Sequence, residues 1–125
     1  MKGLTLDTGA LIAFDREHRA TSLLIRDVLR ERLPVTIPAG VLGQAWRDGR
    51  KQARLAKLLR AQGVEIEPLD ERRAREAGQL CGLRGTSDII DASVVLCARR
   101  RGQRIVTSDA ADMRRLDPVV ELEEL

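Results

Sequence analysis

The sequence is short of the residues on which many enzymes rely. Its only histidine is His18, so Ser-His and Cys-His nucleophilic catalysis have almost no material to work with. Its two cysteines, Cys81 and Cys97, form no CxxC pair, which indicates neither a zinc site nor a disulfide framework; both read as buried free thiols in helices. Phe14 and Trp46 are the only aromatics, which argues against a base-stacking platform of the RNA-recognition or OB kind. Lysine occurs only at Lys2, Lys51 and Lys57, and arginine supplies the rest of the basic charge, a bias that fits a GC-rich genome as well as phosphate contacts. No apolar run approaches the roughly 18 residues that a membrane span needs. The apolar start, Met1 to Phe14, is interrupted by Asp7 and lacks a cleavage-site pattern, so it reads as a core strand and helix rather than a signal peptide. Cytoplasm is the expected location.

What remains is ordinary globular material. The 125 residues suit one domain, spanning 1–125, and 43% hydrophobic with 33% charged residues suits a folded core rather than disorder. The net charge of +3 permits nucleic acid without diagnosing it.

Short apolar runs alternate with helix-like segments. Strands are expected at Gly3–Asp7, Val35–Ile37, Val64–Glu67, Arg104–Thr107 and Val119–Leu122. Helices are expected at Thr8–Phe14, Ala20–Arg32, Pro38 to about Trp46, roughly Lys51–Ala61, Asp70 to about Leu83, Asp88–Arg101 and Ala110–Leu116. Pro34 stops one helix, Asp70 is a good N-cap, and Gly102 ends another helix. This alternation predicts an α/β domain with a central, mostly parallel sheet of about five strands flanked by helices. In such sheets the site forms beyond the carboxyl ends of the strands, at the point where the order reverses.

Asp7 ends the first strand, and Asp109 follows the fourth in Thr107-Ser108-Asp109. Asp88 and Asp91 lie one helical turn apart and share a face. Asp91 opens a largely apolar helix, where a carboxylate needs a partner or a task. If these acids converge, they make an oxygen-rich pocket for a hard divalent ion such as Mg²⁺ or Mn²⁺. Each also has a plainer reading: Asp7, Asp88 and Asp109 as helix caps, with Asp112 favouring the same helix start as Asp109, and Asp91 as an arginine partner.

Leu6-Asp7-Thr8-Gly9-Ala10-Leu11-Ile12 resembles the opening of a PIN domain, in which an aspartate closes the first strand. Asp91-Ala92 with its apolar helix, Gly102, then Val106-Thr107-Ser108-Asp109 resembles the second half. Pro38-Ala39-Gly40-Val41-Leu42-Gly43-Gln44 resembles the helix that carries the family's glutamate. The likeness covers nearly the whole chain and is to the VapC-type toxins in particular, PIN domains of about this length. It implies an acidic Mg²⁺ or Mn²⁺ pocket, endonucleolytic cleavage of RNA, a homodimer, and a small cognate antitoxin that covers the site. By that mapping Asp7, Asp91 and Asp109 take the core metal positions, with Asp88 and Asp112 close by. Gln44 stands where the family usually has glutamate: its carbonyl can still ligate, without charge.

Arg47, Arg50, Lys51 and Arg54 would share a face beside the pocket, as an RNA path, if one helix ran through Gly49; a merely solvated face is the alternative. Arg99, Arg100 and Arg101 suit the C-terminal end of a helix dipole. Leu23, Leu24, Val28 and Leu29 have core or dimer-interface spacing, and Trp46 reads as core or as a partner contact. The competing classes are a catalytically weak PIN-like domain that binds RNA or an antitoxin, a receiver-like domain and a haloacid-dehalogenase-like phosphatase. A receiver would need a lysine near its last strand, and Lys57 is the last lysine. A phosphatase of that kind would need Asp-x-Asp where Asp7-Thr8-Gly9 stands.

Overall fold

A computed structural model describes residues 2–125. The elements run β1 (Leu4–Leu6), α1 (Thr8–Asp15), α2 (Arg19–Arg30), β2 (Val35–Pro38), α3 (Ala39–Ala45), α4 (Ala53–Leu59), β3 (Val64–Glu67), α5 (Glu71–Arg84), α6 (Ile89–Arg101), β4 (Arg104–Thr107), α7 (Ala110–Leu116) and β5 (Leu122–Glu124). The strands form one sheet in the order β3-β2-β1-β4-β5, and every pairing is parallel. A parallel sheet needs a helical crossover at each return and cover on both faces, which is why β1 and β2 read as unbroken apolar-and-threonine runs. All residues of both strands are buried.

Local chemistry sets the helix ends. Asp7, His18, Asp70 and Asp88 each accept a backbone N–H in the first turn of the helix that follows. Gly85 and Gly102 close α5 and α6 in the left-handed region, at φ 68° and 62°, where a side chain would be strained. Cys81 and Cys97 are free and buried, as expected. Val28 is fully packed in the core, while Leu23, Leu24 and Leu29 are only half-buried. Trp46 is 36% exposed, so it is not a core residue; its ring lies against Gly49.

Two expectations need correction and a third is extended. The last strand is Leu122–Glu124, not Val119–Leu122, because Asp117 holds the preceding turn through its Oδ1 to the Val119 N–H at 3.1 Å, and Arg99 grips its Oδ2 at 3.0 Å. Arg99, Arg100 and Arg101 do more than suit a helix dipole: they pair with Asp117, Glu67 and Glu76, and Glu65 and Glu67 respectively. Arg47, Arg50, Lys51 and Arg54 do not share one helical face. Helix α3 ends at Ala45, and buried Gln52 ties the break. Its Oε1 accepts the N–H groups of Arg47 and Asp48 at 2.7 and 2.9 Å. Its Nε2 donates to Ala45 O at 2.9 Å and to Asp15 Oδ2 at 3.1 Å. Arg54 is spent on structure, donating to Phe14 O at 2.8 Å and Ser22 Oγ at 2.7 Å while lying 4.4 Å over the Phe14 ring.

Candidate active site

The strand order reverses between β1 and β4. The chain leaves β1 towards β2 on one side and leaves β4 towards β5 on the other, so the two exits diverge and leave a crevice at the carboxyl ends. Asp7 stands at the end of β1 and Asp109 two residues beyond β4.

Asp7 is 4% exposed. Its N–H donates to Val106 O at 3.1 Å, which joins the exit of β1 to β4, and its Oδ1 accepts the Ala10 N–H at 2.8 Å. Burial raises its pKa; the Thr107 hydroxyl and the N–H groups of Ala10, Ser108 and Gly9 pull it back. Gly9 is needed for this approach, since a Cβ there would lie 1.9 Å from Ser108 Oγ. Thr107 also accepts the Asp109 N–H at 2.8 Å, so one hydroxyl sits between both strand-end acids.

Asp109 begins α7 but spends no side-chain bond on capping it. A hydrogen bond shared with Asp112 raises its pKa most, followed by slight desolvation of this exposed group and the charges of Asp112 and Asp7. Asp88 does cap α6, its Oδ1 accepting the Asp91 N–H at 2.9 Å. Asp91 is half-buried, and its pKa is pushed up to about 7, first by burial and then by Asp88, Asp112 and Asp7. Asp7 stands before α1, Asp88 and Asp91 at the start of α6, and Asp112 in the first turn of α7, so the acids that weigh on Asp91 all come from the N-terminal ends of these helices.

Gln44 reaches the same place from α3. Its Oε1 accepts the Thr8 hydroxyl, next in the chain to Asp7. On the same helix Gly40 faces Ile90 of α6, where a Cβ would come 2.3 Å from the tip of the Ile90 side chain, Cδ1. Thr8 and Thr107 were not singled out as site residues from the sequence. Their adjacency to Asp7 and their place two residues before Asp109 are the only signals that could have found them.

Among the described residues, none of Asp7, Asp88, Asp91, Asp109 and Asp112 forms an ion pair, although the chain carries 22 Lys and Arg. The arginine partner open to Asp91 from sequence is therefore not found. The donor set is all hard oxygen, which fits Mg²⁺ or Mn²⁺ in charge and hardness. Among the described residues no three His, Cys, Asp or Glu side chains close into a ready-made cage. A hollow of about 580 Å³ lies at the opposite end of the sheet, lined by Leu33, Pro34 and Gly63, and its one acid, Glu65, is paired with Arg101. Among the described residues no helix is long and apolar enough to cross a membrane.

Comparison with known proteins agrees with this fold. The structure is similar to that of VapBC2 from Rickettsia felis bound to a DNA fragment from their promoter, with a TM-score of 0.70, 16% identity and 98% of each chain covered. It is similar to FitAB bound to an IR36 DNA fragment, with a TM-score of 0.66, 14% identity, and 97% of this chain and 94% of that one covered. It is also similar to FitAcB from Neisseria gonorrhoeae, with a TM-score of 0.62, 17% identity and 95% of each chain covered. At these identities the likeness is one of fold. No curated protein matches the chain by sequence. The sequence model of the PIN domain matches residues 4–118, from the first residue of β1 to just past α7. That stretch contains every acid of the crevice, and the chain belongs to the PIN domain family.

Proposed function

We propose that this chain is an endoribonuclease dependent on Mg²⁺ or Mn²⁺, folded as one domain, and that it serves as the toxin of a pair with a small antitoxin protein, working in the cytoplasm as a homodimer. One observation carries the reading: five carboxylates without a cationic partner gather at the sheet's switch point in a PIN domain. Their mutual repulsion is a standing cost that a divalent ion would relieve. Asp7, Asp91 and Asp109 would hold the ion, with Gln44, Asp88 and Asp112 beside them. The bound ion would supply an activated water and steady the charge of an attacked phosphate.

The chain's own residues divide the remaining work. Asp7 is fixed by its hydrogen bonds and gives the crevice a rigid wall. Without metal the Asp91 carboxyl has its pKa pushed up to about 7 by burial and by the acids around it, and a bound cation would bring it back to the ionised, ligating form. Thr8 and Thr107 orient Gln44 and the strand-end acids. The test is purified protein incubated with mixed cellular RNA. Cutting is expected with Mg²⁺ or Mn²⁺ and none with a chelator, and expression alone should arrest growth until the antitoxin is co-expressed. Cutting that survives the chelator, or normal growth with confirmed soluble protein, would sink the corresponding half of the proposal.

Gln44 favours a second reading, a PIN domain of weak activity that mainly binds RNA or an antitoxin. Gln44→Glu separates the two. Its carboxylate would accept the same Thr8 bond and add one charge to the crevice. Attraction for a cation about 4 Å away is on the order of 4 kcal/mol per unit of cation charge at an effective dielectric near 20. Repulsion from Asp7, Asp91 and Asp109 opposes it, as does desolvation. The expected net gain in metal affinity is roughly tenfold to a hundredfold, about 1–3 kcal/mol, read by calorimetry and by the metal concentration needed for cleavage. Unchanged or weaker affinity would show that Gln44 only braces Thr8.

A further inference from the structure

Arg47, Arg50, Lys51 and Arg54 share no helical face, and the other side of the crevice offers a second candidate path for RNA. We propose that Arg84 and Arg115 form a phosphate-binding edge of the acidic site and take the single-stranded RNA backbone just beside the cut; the proposal rests on the ribonuclease reading.

Asp112 and Arg115 lie three apart on α7 and so share a face. That face meets the α5–α6 turn. At one end Asp112, in the first turn of α7, follows the strand-end acid Asp109 by three residues. One helical turn on, Arg115 Nη2 donates to Gly85 O at 2.8 Å. Gly85 is three residues from Asp88, a reach of at most about 10 Å of chain. Arg84 adjoins Gly85 at the end of α5. Arg84 and Arg115 thus flank the α5–α6 turn that leads into Asp88.

Their bonding leaves them free for a ligand. Arg84 is exposed and makes no ion pair or side-chain hydrogen bond among the described residues. Arg115 is exposed, and Gly85 O takes one of its five donors. The neighbouring arginines differ: Arg99 is held by Asp117, and Arg100 and Arg101 by glutamates. An acidic crevice repels an RNA backbone, so the polyanion needs cations at the border to bring a phosphodiester up to the carboxylates. Planar, always-charged guanidinium groups suit phosphate oxygens.

The test is steady-state cleavage of a single-stranded RNA in Mg²⁺ across a range of salt. Arg84→Glu with Arg115→Glu should raise KM roughly tenfold, hold kcat within about threefold, and flatten the salt dependence of log kcat/KM by roughly 1.4, at about 0.7 per phosphate contact. Arg84→Gln touches no bond of the fold and should flatten the slope by about 0.7 on its own. Arg16→Glu with Arg30→Glu makes the same change of charge elsewhere and should leave KM as in the parent. A parental KM and slope in the Arg84 and Arg115 variants overturns the proposal. So does an equal loss in the Arg16 and Arg30 control, or a fall in kcat alone with the slope kept, which would mean that Arg115 only braces the turn. A parent that cuts no RNA overturns the ribonuclease reading itself, and this edge falls with it.

Discussion

Asp91→Asn is expected to abolish metal-dependent RNA cleavage, by about a hundredfold or more, which corresponds to roughly 3 kcal/mol of barrier. The same change should leave the metal-free protein no less stable. The two effects have one origin. Asp91 is half-buried beside Asp88, Asp112 and Asp7, and nothing in the described protein neutralises it. Its pKa rises from the ordinary 3.8 to about 7. The folded state therefore binds more protons than the unfolded state between these values. Stability contributed by Asp91 is greatest at low pH, falls as pH climbs from about 4 to about 7, and is level above that. Asparagine removes the slope. At pH 8 without metal the variant should gain about 1–2 kcal/mol once solvent screening of this half-exposed group is allowed for. With Mg²⁺ the order should reverse, because the parent gains binding energy that the variant has lost. Melting curves at pH 5 and pH 8, with and without Mg²⁺, check all of this. A variant that cuts RNA at the parental rate removes Asp91 from the site.

The sheet was legible because its signals are local. Short apolar runs, bounded by Pro34, Pro68, Gly63 and Gly102, marked four strands within a residue or two. The fifth was misplaced because Val119 and Val120 look like strand residues, while Asp117, a residue of no strand propensity, holds them in a turn. At the site the chain position of Asp7 and Asp109 was readable, but their state was not. Whether an acid caps a helix, pairs with an arginine or stays unpartnered depends on what the fold brings opposite it. Asp7 turned out to cap a helix and to line the crevice as well, whereas Asp109 starts a helix without capping it. The Arg47 to Arg54 face failed on a contact no pattern encodes, the reach of Gln52 back to Arg47, Asp48 and Ala45.

Glu67→Ala is expected to be among the most destabilising single changes in the molecule, and to do so without touching the chemistry. Glu67 ends β3 and is 4% exposed. Arg100 Nη2 lies 2.7 Å from its Oε2 and Arg101 Nε 3.2 Å from its Oε1, with Arg73 at 3.9 Å. Removing one partner of a buried pair leaves the other charge uncompensated, at a cost of about 3–5 kcal/mol. Here the guanidinium groups keep some water and other acids: Arg101 retains Glu65, Arg100 retains Glu76 and Arg73 retains Asp70. The expected loss is therefore nearer 2–4 kcal/mol, with Glu67→Gln costing less because it keeps the volume and can still accept hydrogen bonds. Denaturant melts measure it. In a double-mutant cycle Arg101→Ala should cost less in the Glu67→Ala background than in the parent. Asp91 lies near the other end of α6, about 15 Å from Arg101 at 1.5 Å per residue. Cleavage per folded molecule should thus stay close to parental under conditions where the variant remains folded. Full loss of cutting in folded Glu67→Ala would place this glutamate in the site instead. Glu67 is as buried as Asp7, yet it is answered by three arginines and locks a strand to a helix. Among the described residues Asp7 and Asp91 have no cation of their own, and it is that lack, rather than burial, which supports the proposal that they hold a metal.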